Sequence, residues 1–110
     1  MKVHTIKIAN VFSRVPAGRV PADGNYNGQK FRKEFLVKNL RINDKLIIDF
    51  DGLEGSGSSF LEEAFGGLIN YEKFTLLELR NKLDFISEED KSIILEIWTY
   101  LENAEKNANK

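Results

Sequence analysis

The hydrophobic pattern changes period once in the middle of the chain. Leu46, Ile47, Ile48 and Phe50 form an apolar run broken only by Asp49. Beyond a glycine-serine stretch, Phe60, Leu61, Ala64, Phe65, Leu68 and Ile69 recur at helical spacing. The first pattern predicts a strand covered on both faces, the second an amphipathic helix with one buried stripe. Between them, residues 52–58 predict a tight loop. Ser59-Phe60-Leu61-Glu62 fits a capping box, with Ser59 as N-cap and Glu62 reaching back to it. Ser58 would then stand just outside the helix, beside the positive end of its dipole. The simpler role for both serines is local capping. Gly66 and Gly67 interrupt the stripe, which requires the helix either to pack closely there or to bend.

The flanking segments are predicted from the same periodicities. Residues 3–9 predict a strand. Residues 10–28 hold both prolines, Pro16 and Pro21, and predict a loop with a short edge strand near Arg19 and Val20. Residues 28–40 predict a helix lined by Phe31, Phe35, Leu36 and Leu40, with Lys30, Arg32, Lys33 and Lys38 largely on its other sides. Asn43-Asp44 marks a turn. Thr75-Leu76-Leu77-Glu78 is a second capping box, opening a short helix to about Lys82. Leu83–Ile86 predicts a last strand. Ser87-Glu88-Glu89-Asp90 predicts the start of a final helix buried through Ile94, Ile97, Trp98 and Leu101. The expectation is a single small α/β domain over residues 1–102, with a mixed sheet of about four strands packed by four helices, and a polar tail, 103–110, that frays.

Composition narrows the chemistry. The chain of 110 residues has no cysteine and one histidine, His4, which excludes a disulfide framework, a thiolate nucleophile and zinc held by cysteines or several histidines. No apolar run approaches the ~20 residues that span a bilayer. The N-terminus lacks a signal-peptide core, so a cytoplasmic location is expected. The net charge of −1 conceals an uneven distribution. Residues 28–45 carry six Lys/Arg and two acids, whereas residues 46–66 carry five acids and no base. A basic segment beside an acidic one suits protein recognition better than nucleic-acid binding.

Asp49-Phe50-Asp51-Gly52 at the end of a strand is similar to the first motif of haloacid-dehalogenase-type phosphatases, in which two aspartates work with magnesium. Leu53 stands where that motif has threonine. Arg19, Asp49 and Asp51 are therefore candidate ligand-binding residues in an alternative reading, a small ligand-binding domain or magnesium-dependent enzyme. The Gly55-Ser56-Gly57-Ser58 loop lacks the lysine of a phosphate-binding loop, and Glu54, Glu62 and Glu63 repel anions. No base accompanies the serines, so a serine nucleophile is not supported.

Ile48-Asp49-Phe50-Asp51-Gly52, followed by Gly57-Ser58-Ser59-Phe60-Leu61-Glu62-Glu63-Ala64-Phe65-Gly66, resembles the STAS-like family of uncharacterised bacterial proteins, related to the STAS (sulphate transporter and anti-sigma-factor antagonist) domain. Gly18-Arg19, Asp23-Gly24, Gly28 and Phe31-Arg32 add to the resemblance, which spans roughly residues 18–69. In anti-sigma-factor antagonists, an Asp-Ser-Ser-Gly sequence at a helix N-terminus carries the serine phosphorylated by a kinase. The corresponding positions are Gly57, Ser58, Ser59 and Phe60, so glycine replaces the aspartate and phenylalanine the glycine. The resemblance implies a regulatory protein-interaction domain, not an enzyme, with Ser58 phosphorylated and Glu54, Gly55, Ser56, Gly57, Ser58 and Glu63 meeting the partner. It implies a histidine-kinase-like ATPase, or anti-sigma kinase, as that partner. No cofactor, metal, nucleic acid or membrane is expected.

Overall fold

Three strands pair in the order in which they occur in the chain. In the computed structural model, which describes residues 1–108, these are β1 (Val3–Lys7), β2 (Lys45–Asp49) and β3 (Leu83–Ile86). Both pairings are parallel, with Ile6 opposite Ile48 and Ile48 opposite Phe85. The sheet thus has three parallel strands, not the four of a mixed sheet expected from sequence. No strand forms at Arg19 and Val20, because Asp23 accepts both of their backbone N–H groups and closes a turn ahead of a short 3-10 helix, Pro21–Asp23.

Among the described residues, five α-helices accompany the sheet, one more than the four expected. A single turn, α1 (Ile8–Val11), follows β1. Helix α2, residues 28–42, and helix α3, residues 58–70, each contain one wider π-helical turn, at Arg32–Leu36 and Glu62–Gly66. Helix α4 is Leu76–Lys82 and α5 is Ser92–Ala108. The capping box predicted for α4 is present: the Glu78 N–H donates to Thr75 Oγ1, and the Thr75 N–H to Glu78 Oε1. Helix α5 begins at Ser92 rather than at Ser87, and Asp90 Oδ1 accepts the Ser92 N–H. It also runs past Asn103, where fraying was expected, because Ala104 packs into the core; Asn109 and Lys110 lie outside the described residues.

Neighbours in a parallel register share a face, and the two faces of this sheet differ. Ile6, Leu46, Ile48 and Leu83 point into a core built with Phe31, Leu36, Leu40, Phe60, Phe65, Leu68, Ile97 and Leu101. The opposite face presents Thr5, Ile47 and Asp84 in one row and Lys7, Asp49 and Ile86 in the next, all exposed or half-exposed. Right-handed crossovers that always add the next strand on the same side place every helix on one face. The apolar run at β2 therefore does not signal a strand covered twice. Its burial alternates.

Candidate functional site

The loops at the C-terminal ends of the strands, where open α/β sheets bind their ligands, are braced against one another. The Asp51 N–H donates to Asp49 Oδ1 at 2.9 Å, which turns the chain out of β2. Gly52 continues the turn with φ 89°, a conformation suited to glycine. Its N–H donates to Glu89 Oε1 at 2.6 Å, and Asp51 Oδ1 accepts the Glu89 N–H at 3.0 Å. The 50–54 and 87–90 loops are thus latched together. Between them lies an open cavity of about 240 Å³, lined by Leu53, Glu54, Ser56, Ser87, Asp90 and Glu96 among others.

Ser58 stands at the rim of this region, exposed, as the first residue of α3. Sequence placed the N-cap at Ser59, with Glu62 completing the box; the helix begins two residues earlier, and the N-cap is Gly57, which has no side chain to offer. Ser59 lies within the first turn, and Glu62 is drawn away to Arg19, whose Nη2 donates to Glu62 Oε1 at 2.6 Å. Glu54, Gly55 and Gly57 are exposed and Ser56 is half-buried, so the loop predicted to meet a partner is open to solvent. Glu63, assigned to the same surface, is turned away from it.

Glu63 belongs to a buried ion cluster that sequence did not anticipate. Arg32, read as one of the outward bases of α2, is 2% exposed. Its Nη1 donates to Glu63 Oε2 at 2.8 Å and to the Glu63 carbonyl at 2.6 Å, while its Nε donates to Glu72 Oε2 at 3.0 Å. The Tyr71 ring lies 5.0 Å from the guanidinium carbon. Gly67 makes room for it: a Cβ there would lie 2.2 Å from Arg32 Nη1. Gly28 permits the same crossing of α2 over α3, since its Cβ would meet Glu63 Cβ and the Phe60 carbonyl at 2.8 Å. Of the bend or close packing expected at Gly66-Gly67, close packing occurs at Gly67. The two π-helical turns begin at Arg32 and Glu62, beside these contacts. The available sequence signal was the coincidence of glycines in both helices with one base among the apolar residues of α2.

The three candidate ligand residues occupy separate settings. Arg19 pairs with Glu62, Asp49 lies 3.9 Å from Lys7 on the open face of the sheet, and Asp51 braces Glu89. Among the described residues, no group of three or more acids and histidines is arranged to hold a metal ion.

Two titrations are displaced. Hydrogen bonds from the backbone N–H groups of Arg19 and Val20 hold the Asp23 carboxyl below its ordinary value. Tyr100 donates to Glu96 Oε2, and that bond, aided by burial and the charges of Glu96 and Glu62, pushes its phenol up to about 12; Ser58, as a nearby hydrogen-bond partner, opposes the shift slightly. Ser58 is thus adjacent to Tyr100 of α5 and to an acidic surround.

Among the described residues, no helix is long and apolar enough to cross a membrane. No curated protein and no solved structure matches the chain. Residues 27–92 match the family model described as a STAS-like domain of unknown function (DUF4325), and this segment runs from the N-cap of α2 through both glycine contacts, Ser58, the ion cluster and β3 to the first residue of α5. By that match, the chain belongs to the STAS-like family.

Proposed function

We propose that this chain is a regulatory protein-interaction domain which presents residues 54–58 and the first turn of α3 to a protein partner, and that phosphate on Ser58 controls the docking. The observation that carries this reading is the exposed hydroxyl of Ser58 at the first position of α3, behind an N-cap, Gly57, without a side chain. No side chain claims the first-turn N–H groups, and the helix dipole favours negative charge there. A phosphate adds about −1.5 to −2 charge. Placed beside Glu62 and Glu96, it turns a mildly acidic surface into a strongly acidic one and repels a partner that docks on the free hydroxyl. A histidine-kinase-like ATPase fits as partner, since such an enzyme both docks and supplies the phosphoryl group.

The test begins with the intact mass of the chain purified from its own host, with and without phosphatase treatment. The expected result is a phosphate mapped to Ser58. Partners captured by the wild-type chain should then be retained by Ser58→Ala and lost by Ser58→Glu. An unmodified chain with equal capture by all three forms overturns the switch.

A further inference from the structure

The outer edge of β1 is an unfilled place in the sheet. The Lys45 N–H donates to the Lys2 carbonyl, so the alternation of a parallel ladder turns the backbone groups of His4 and Ile6 toward β2. The N–H and C=O groups of Val3 and Thr5, and the N–H of Lys7, therefore face outward. Among the described residues, none of them has a partner. Helices cover neither this edge nor the open face beside it, and Val3 is 49% exposed.

Alongside the edge runs a groove of about 320 Å³ between β1 and α2, with Val11 and Phe35 as its apolar lining and Glu34 and Lys38 on its α2 wall. Side chains of a strand added at this edge alternate between the groove and the open face of the sheet, as those of β1 do.

Charge selects the occupant. Residues 1–11 carry Lys2 and Lys7 and no acid, Lys38 shares the α2 wall of the groove with Glu34, and Asp44 accepts the Lys2 N–H at the start of the strand. Lys7 keeps only a loose 3.9 Å contact with Asp49. Antiparallel pairing of β1 with a second copy would set basic strand against basic strand, so the lysines act against self-association as edge lysines commonly do. The same lysines favour an acidic strand, which combines repulsion of the wrong partner with attraction of the right one.

We propose that the β1 edge and its groove accept an extended acidic segment of another protein as a fourth strand of the sheet. This surface is separate from the Ser58 loop, and its occupancy is independent of phosphate there.

The experiment is amide exchange by NMR on the full chain, at low salt, with an acetylated and amidated heptapeptide alternating glutamate and valine as the probe. Saturating peptide should slow exchange at Val3, Thr5 and Lys7 by at least about tenfold, and a lysine-valine heptapeptide should leave these amides unchanged. Thr5→Pro removes an outward N–H that the ladder does not use, a position where proline is tolerated. It should weaken binding by about tenfold while His4 and Ile6 stay protected. Lys38→Glu should weaken binding without touching the strand, and Ser58→Ala should bind as the wild type does. Unchanged exchange at the three amides, binding indifferent to Thr5→Pro and Lys38→Glu, or protection that grows with protein concentration in the absence of peptide each overturns the proposal. The last of these outcomes would assign the edge to a second copy.

Discussion

At its start, α3 is exposed: Gly57 and Ser58 face solvent, no side chain caps the first turn, and the preceding loop is held by Glu89 at Gly52 and Asp51 and by the Arg14 carbonyl at Glu54. Two turns further on, Glu63 and Gly67 are held from several sides by Arg32, and a single added methyl group has no room. The same helix thus has one end free to change and another where little can. An exposed hydroxyl can acquire a phosphate without disturbing the core, because the packing that holds α3 in place begins only at Phe60. The switch proposed at Ser58 would have this fixed platform behind it.

The largest effect expected from this contrast is at the fixed end. Gly28→Val drives a side chain into the Phe60 carbonyl and Glu63 Cβ, and backbone cannot step aside as a flexible side chain does. A loss of about 3 kcal/mol or more in denaturant unfolding is expected. Arg32→Ala strands the Glu63 and Glu72 carboxylates, 10% and 18% exposed, and should cost about 3 kcal/mol. Arg32→Lys keeps the charge but cannot reach both acids in the same fork, so it should not restore the loss. Wild-type stability in any of these three would erase the distinction between the two ends of α3.

A smaller effect separates the serine that caps nothing from the threonine that does. Thr75→Ala should cost about 1 kcal/mol, whereas Ser59→Ala should stay within about 0.5 kcal/mol. Equal losses in the two variants would return Ser59 to the capping role that spacing assigned to it.

The smallest expected effects are in titration. Tyr100 has its pKa raised by folding, so its contribution is fully present below the ordinary phenol range, near 10, and is lost as pH rises toward about 12. In absorbance titration of the folded chain, one of its three tyrosines should ionise late, and Glu96→Gln should bring it earlier. Asp23 has the opposite sign. Its carboxyl is depressed, so its contribution is present above the ordinary carboxylate range and is lost as pH falls through the lowered value; Asp23→Asn should flatten that part of the acid limb.

Much of this architecture is legible in the hydrophobic spacing. The apolar positions of α3, from Phe60 to Ile69, are all buried, and β3 occupies the four residues expected of it. Periodicity registers these because burial of a face repeats with the element. It does not register Arg32, since a base inside an apolar stripe looks like a surface residue until the acids that neutralise it, 31 and 40 residues away, are brought to it. Nor could it locate the start of α3. Ser58 and Ser59 are both good caps by residue type, and Arg19, 43 residues from Glu62, withdrew the carboxylate that a capping box needs. The missing fourth strand has a related cause: Arg19 and Val20 have strand-like neighbours, but the carboxylate of Asp23 takes the N–H groups a ladder would have used.

The strand order has a kinetic consequence. Each strand of the sheet pairs with the one made before it, so the order of synthesis and the order of assembly can coincide. By the time Glu72 has left the ribosome, β1, α2, β2 and α3 are all available, together with every partner of Arg32. Strand β3 and α5 are made after every group that forms the α2–α3 crossing. Domains built this way can begin to fold during elongation, and the lesions that disturb the α2–α3 crossing should slow folding itself, while those in α5 should mainly hasten unfolding.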